Sequence, residues 1–202
     1  MVHVTWGIVM AAGKTEQLES DVDCSFLPLG DRPMLVYSLQ AQEERPEVDA
    51  IAIVARKSRM EAVKSLVQTY SFRKVRKIAA GSTQRNSTLQ AGLRVLDDDA
   101  TMVVIQDVSR PLVTPEMVSE TIKAAKRYGC SATAAKLPEH RVKWLEKGQK
   151  VDHTLEGGCC WVVESPISLR LELLQEALDA HKGGFEEETA VVEAIDRDVH
   201  LV

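Results

Sequence analysis

Three stretches of this chain carry residue types that could act together on a phosphate. The first is Gly7-Ile8-Val9-Met10-Ala11-Ala12-Gly13-Lys14, an apolar run that breaks into small residues and a glycine. Such a run sets a buried strand before a turn whose backbone N–H groups lie open to a ligand, and a nucleotide phosphate suits that place. The second is Gly81-Ser82 with Asn86-Ser87, at the opening of a helix for which Ser82 is a reasonable N-cap. The third is Asp107, the carboxylate on which the apolar run Met102–Ile105 closes. Against a phosphate site stands the segment after the first turn, which carries Glu16, Glu19, Asp21 and Asp23, with Lys14 as the only cation beside them.

The elements needed to bring these stretches together follow from the hydrophobic pattern. Residues 3–10 read as a strand. A helix from Pro33 to about Glu44 carries Leu35 and Leu39 inward, and the β-branched run Val48–Ala55 reads as a second buried strand. Lys57–Tyr70 reads as a helix, Val75–Ala79 as a strand, and the Ser82 helix carries Leu89, Leu93 and Leu96 on one face. Thr114-Pro115-Glu116 starts a helix that runs to Tyr128 and stops at Gly129. Buried strands alternating with helices through short connections predict an α/β fold, a doubly wound and mostly parallel sheet with helices on both faces. Ligands of such sheets bind beyond the carboxyl ends of the strands, where Ala11–Gly13, Ser82–Ser87 and Asp107 converge on one crevice.

From Ala132 the pattern changes. Arg141–His153 alternates around a glycine-containing turn, which predicts a hairpin arm at about 136–158, and Cys159–Val163 returns to the sheet. Helices follow over Ser168–His181 and Glu186–Ile195. The 202 residues are read as one domain, 1–202, with that arm. A net charge of -5 and a pI near 5.6 argue against a nucleic-acid binder. The cluster Arg73, Lys74, Arg76, Lys77 reads as a solvated sheet edge. With no apolar run long enough to span a membrane and no leader pattern, a cytoplasmic protein is expected. Cys24, Cys130, Cys159 and Cys160 lack C-x-x-C spacing, so reduced thiols are expected, with neither zinc nor a disulfide framework.

Ala11-Ala12-Gly13, Phe26-Leu27-Pro28-Leu29-Gly30, Gly81 with Arg85-Asn86-Ser87 and Leu89, Gly92, Leu93, and Asp107-Val108-Ser109-Arg110-Pro111-Leu112-Val113 occur in this order, followed by His153-Thr154-Leu155, Trp161 and Leu171-Glu172-Leu173-Leu174. Together they resemble the 2-C-methyl-D-erythritol 4-phosphate cytidylyltransferases of isoprenoid synthesis, sugar-phosphate nucleotidyltransferases, over nearly the whole chain. The resemblance implies the nucleotide-diphospho-sugar transferase type of fold. It implies CTP and a small phosphorylated polyol as partners, CMP transfer with release of pyrophosphate, Mg²⁺ as cofactor, and a homodimer paired through the arm. It places the triphosphate on Ala11, Ala12 and Gly13, the base and ribose near Gly81, Ser82, Asn86 and Ser87, and the metal on Asp107. Lys14 and Arg110 are the remaining candidates for catalytic cations, with Arg141 and Arg85 able to substitute.

The chain departs from that family where cations act. Gln17 and Cys24 stand at the positions of a loop Arg and a loop Lys. In the arm, His140-Arg141 replaces Asp-Thr and Gly157 replaces a substrate-binding Arg, while Glu164-Ser165-Pro166 stands for Thr-Pro-Gln. The family's C-terminal Asn-Ile-Lys segment lies beyond Val202, where the sequence stops. A cation acting on transferring phosphate is worth on the order of 10³-fold, so these losses predict weak or altered cytidylyl transfer. The alternative is a non-catalytic homologue serving as a binding or regulatory module. A glycosyltransferase of the same fold fits less well, because Asp97-Asp98-Asp99 precedes its strand instead of following it.

Overall fold

A computed structural model of the chain describes residues 3–13, 23–137, 142–146, 150–155, 158, 160–181, 183–185 and 187–202. Expectations for Lys14, Glu16, Gln17, Glu19, Asp21, His140, Arg141, Gly157 and Cys159 lie outside these residues.

The chain runs through β1 (Val4–Ala11), β2 (Pro28–Leu29), β3 (Arg32–Pro33), α1 (Met34–Glu43), β4 (Ala50–Arg56), α2 (Met60–Thr69), β5 (Val75–Gly81), α3 (Arg85–Leu93) and β6 (Ala100–Asp107). It continues through α4 (Pro115–Tyr128), β7 (Cys130–Lys136), β8 (Val142–Leu145), β9 (Val151–Leu155), β10 (Trp161–Arg170), α5 (Leu171–Ala180), α6 (Glu188–Glu193) and β11 (His200–Leu201). Seven strands form one sheet in the order β11-β7-β10-β6-β1-β4-β5. β6, β1, β4 and β5 are mutually parallel, while β10 runs antiparallel to both β6 and β7. The predicted mostly parallel α/β sheet is what the structure shows.

Strand alternation divides the core. Val9 and Ala11 of β1 pack with Leu35, Leu39, Val63, Val118 and Ile122 of α1, α2 and α4. Ile8 and Met10, on the other face, pack with Leu89, Leu174, Val191 and Val192 of α3, α5 and α6. Both faces are covered, so β1 must be apolar throughout, and each buried Ile, Val or Leu contributes about 2 kcal/mol. β5 is the sheet's edge, where Arg73 and Arg76 are exposed and Lys77 and Arg76 lie 3.1 and 4.0 Å from Asp97, whereas Lys74, expected to be solvated with them, is half-buried and donates through Nζ to Arg45 O. The hairpin arm forms from β8 and β9.

Several boundaries differ from the sequence reading, each where tertiary pairing overrides local pattern. Pro33 ends β3 and caps α1 instead of starting the helix. β5 continues to Gly81, because Gly81 pairs with Arg56, so α3 begins at Arg85 with Gln84 as N-cap and Ser82 is not the cap. Ser168, expected in a helix, is a buried strand residue paired with Val104 and Ser131, and α5 begins only at Leu171. The last helix is confined to Glu188–Glu193. β2, β3, β7 and β11 have no counterpart among the strands read from the sequence. The small residues of β7, Cys130-Ser131-Ala132-Thr133-Ala134-Ala135, carry little β-propensity and become a strand through their partners. Among the described residues no helix is long and apolar enough to cross a membrane. Cys24 and Cys130 are free thiols, and burial, with the nearby carboxylates Glu187, Glu193 and Glu188, pushes the Cys130 thiol up to about 12.

Candidate functional site

The parallel strands occur in spatial order β5-β4-β1-β6, so the chain reverses direction across the sheet between β1 and β6. A crevice opens beyond the carboxyl ends at such a point. Met10 is the register partner of Asp107, which places Ala11–Gly13 directly beside the turn that follows β6. The Val108 N–H donates to Met10 O at 3.2 Å and locks the two together. A cleft of about 160 Å³ lies here, lined among others by Gly13, Cys24, Thr83, Arg85, Thr88 and Asp107. Two of the three predicted stretches supply Gly13 and Asp107, and the third contributes through neighbours of the residues first singled out.

The first loop is held from below. Ala11 and Ala12 are buried, and Ser25 Oγ donates to Ala11 O at 3.1 Å. A Cβ at Gly13 would meet no atom of the described residues within 4 Å. Asp23, one of the four acids that weigh against phosphate, turns away from this role: it accepts from Ser25 N at 3.1 Å and lies 3.4 Å from Arg59 Nε. Arg56, at the end of β4, donates to Ala12 O at 3.4 Å and to Gly13 O at 3.3 Å. Two arginines from the β4–α2 junction thus supply positive charge next to this loop, which the pattern of the loop itself did not reveal.

Gly81 is needed for close approach and not for a turn. A Cβ there would lie 2.7 Å from Ala12 Cβ and 2.9 Å from Val54 Cγ1. We expect Gly81→Ala to destabilise the protein by about 1–3 kcal/mol, the usual range for overpacking, read as a lowered midpoint in urea; an unchanged midpoint contradicts this packing role. Beyond Gly81, the Thr88 hydroxyl donates to Ser82 O at 2.8 Å and accepts from Ser82 N at 3.1 Å, while Ser82 Oγ accepts from Gln84 N at 3.1 Å. Ser87 is exposed and donates to Gln84 Oε1 at 3.3 Å. Thr83 and Thr88, each adjacent in sequence to a serine singled out, line the cleft, whereas Ser82 and Ser87 are not among its lining residues. Asn86 Oδ1 is buried with no hydrogen-bond partner in the described structure.

Asp107 is the most constrained member. Its N–H donates to Ser165 Oγ at 2.8 Å. Both of its carboxylate oxygens accept from Arg85 Nη1, at 2.9 and 3.1 Å, and Arg85 reaches back through Nε and Nη2 to Glu188 at 2.9 and 2.7 Å. Glu188 is fully buried, whereas Arg85 and Asp107 keep about a fifth of their side chains exposed (22% and 23%) and face the cleft. Burial opposes charge on Arg85, but Glu188 and Asp107 outweigh it and hold its pKa above the ordinary value. Burial likewise pushes the Glu188 carboxyl up, with Arg85 pulling it back. Sequence reading named Arg85 only as a substitute cation and gave Glu188 no role. Contact between residues 103 positions apart leaves no local signal.

Arg110 does not line this cleft; it pairs with Glu164 on β10. Its turn is clamped by the buried Gln106, whose Nε2 donates to Asp107 O at 2.9 Å and to Arg110 O at 3.0 Å. Cys24 is buried at the cleft wall, where it adds apolar surface and no charge. A carboxylate aimed into a cleft between a small-residue loop and a guanidinium can hold a hard cation and phosphate oxygens together. Among the described residues no group of three His, Cys, Asp or Glu side chains could hold a metal by itself.

Comparison with known proteins bears on the family and the fold. The family model for 2-C-methyl-D-erythritol 4-phosphate cytidylyltransferase matches residues 5–202. A cytidylyltransferase of that description from Clostridium tetani is 30% identical over 169 residues, 84% of this chain and 68% of that protein. Another, from Dehalococcoides mccartyi, is 32% identical over 170 residues, 84% of this chain and 74% of that protein. In fold, the chain is similar to the crystal structure of 4-diphosphocytidyl-2C-methyl-D-erythritol synthase from Anaerococcus prevotii, with a TM-score of 0.86 at 24% identity over 99% of this chain and 88% of that one.

Proposed function

Because the chain belongs to the 2-C-methyl-D-erythritol 4-phosphate cytidylyltransferase family, we propose that it binds CTP with Mg²⁺ in the β1–β6 cleft and transfers CMP to 2-C-methyl-D-erythritol 4-phosphate or a related polyol phosphate, releasing pyrophosphate. The observation that carries this reading is the registration of Met10 with Asp107, which sets a small-residue loop beside a strand-end carboxylate at the reversal point of the sheet. Ala11, Ala12 and Gly13 form the floor for the triphosphate. Asp107 holds the metal, and its partly exposed carboxylate is the hard oxygen donor that Mg²⁺ takes alongside phosphate oxygens. A Mg²⁺ held by Asp107 would supply charge neutralisation at the phosphate under attack. Arg85 orients Asp107, Arg56 lends positive potential to the loop, and Gly81 with Thr88 shapes the wall where base and ribose lie.

Two observations favour the rival reading of a non-catalytic homologue. Cys24 occupies the cleft wall where family resemblance puts a lysine, and Arg110 is engaged by Glu164. Pyrophosphate release from CTP with a panel of polyol phosphates separates the two: turnover supports transfer, and its absence alongside CTP binding supports the binding module. If missing loop cations limit the rate, Gln17→Arg with Cys24→Lys raises kcat/KM by at least about 10-fold, a cautious fraction of the 10³-fold worth of such a cation. No gain from the pair contradicts that explanation.

The arm at β8 and β9 pairs two copies in this reading. It carries Trp144 and Leu145 with 57% and 51% of their surface exposed, and Trp161 and Val162 at its base are exposed as well. Light scattering at micromolar concentration is expected to read a dimer that Trp144→Glu converts to monomer; a monomeric parent protein contradicts the pairing.

A further inference from the structure

Asp107 is the metal ligand of the proposed reaction, yet both of its oxygens already face a cation. Arg85 Nη1 lies 2.9 and 3.1 Å from them. The guanidinium cannot relax away at little cost, because its Nε and Nη2 form a two-pronged pair with Glu188 at 2.9 and 2.7 Å. Glu188 in turn is fully buried and packed within α6, so the planar fork is fixed from behind.

Building on the reading above, we propose that Arg85, locked by Glu188, is a positioning residue that presents Asp107 in one orientation and makes it a poor ligand for a free divalent cation, so that the metal is accepted only together with its nucleotide. Two independent features of the site argue for this order of entry. A dication on Asp107 sits within a few ångströms of a fixed guanidinium and is repelled by it, a repulsion that the buried Glu188 on the far side offsets only in part. No three His, Cys, Asp or Glu side chains among the described residues converge to replace the hydration shell of the ion. A triphosphate removes both obstacles at once. Its oxygens complete the coordination, and its negative charge faces the exposed edge of Arg85, which lines the cleft with Asp107. Arg85 therefore discriminates between the free cation and the cation–nucleotide complex, and Glu188 makes that discrimination rigid.

The test is Mn²⁺ binding to the protein without nucleotide, followed by electron paramagnetic resonance, for the parent protein and three variants. The double change Arg85→Gln with Glu188→Gln keeps shape and hydrogen bonding while removing the opposed charges. It is expected to bind Mn²⁺ at least about 10-fold more tightly than the parent, and adding Asp107→Asn is expected to abolish that gain. Arg85→Lys, which keeps the positive charge, is expected to bind Mn²⁺ as weakly as the parent. If the amide pair fails to fold by circular dichroism, Arg85→Met with Glu188→Met replaces the ion pair by apolar groups of similar length and takes its place. A parent protein that binds free Mn²⁺ as tightly as the double variant overturns the proposal, and so does a gain that survives Asp107→Asn or appears in Arg85→Lys. Titration of the parent with CTP and Mg²⁺ is run beside these. No binding there sinks the nucleotide reading, whereas CTP binding with unchanged Mn²⁺ affinities sinks the gating role of Arg85 alone.

Discussion

Asp107→Asn is expected to lower cytidylyl transfer by about 10³-fold if Asp107 holds the metal as proposed, the scale of several kcal/mol that goes with loss of a charged protein ligand. The substitution keeps the size of the side chain and an oxygen that accepts from Arg85, and the backbone N–H still donates to Ser165. The fold is therefore expected to survive with a loss of only about 1–2 kcal/mol, a charge-assisted hydrogen bond having become a neutral one. Steady-state pyrophosphate release at saturating CTP and polyol phosphate measures the effect, with a thermal melt as control. A variant that keeps more than about a tenth of the parent kcat shows that the metal is held elsewhere, and the site drawn around β1 and β6 fails with it.

Glu188→Ala has the largest expected effect on stability. It strands the Arg85 guanidinium with Asp107 as its single described carboxylate partner, and breaking a buried pair by removing one member costs about 3–5 kcal/mol. For a chain of this size that loss lowers Tm by roughly 10 °C, at about 2–4 °C per kcal/mol. Glu176 provides the internal comparison. Its pair with Arg197 at 3.3 Å is about half exposed on both sides, so Glu176→Ala should cost no more than about 1 kcal/mol. Equal Tm shifts for the two variants contradict the view that Glu188 anchors the site.

The two carboxylates also show what could be read from sequence and what could not. Asp107 was legible because a β-branched apolar run ending in an acid places that acid at the carboxyl end of a parallel strand, where ligands gather. The Ala11–Gly13 loop and the alternation of strands and helices were legible for the same reason: each is a local pattern with a single cheap burial solution. Glu188 had no such pattern. It follows Glu186 and Glu187 at the start of the helix expected over Glu186–Ile195, where nothing local sets one acid apart from the next, and only the fold shows that Glu188 is buried against Arg85. The boundaries at Ser82 and Ser168 went astray because serine suits a helix start locally, while pairing of Gly81 with Arg56 and of Ser168 with Val104 extended the strands. Thr88 was passed over for Ser87 because a one-residue shift turns a helical side chain by about 100°, and the sequence does not say which of two adjacent hydroxyls faces inward. The acidic run at Glu16–Asp23 argued against phosphate only as a sum of charges; Asp23 is taken up by Arg59, and Arg56 arrives from a different strand.

The measurement that bears most directly on this account is calorimetric titration of the protein with CTP, ATP, GTP and UTP in the presence of Mg²⁺. The account predicts saturable heat with CTP at one site per chain, weaker or no heat with the other three, and loss of the CTP signal in Asp107→Asn. No heat from any of the four nucleotides, or binding indifferent to Asp107, would contradict it.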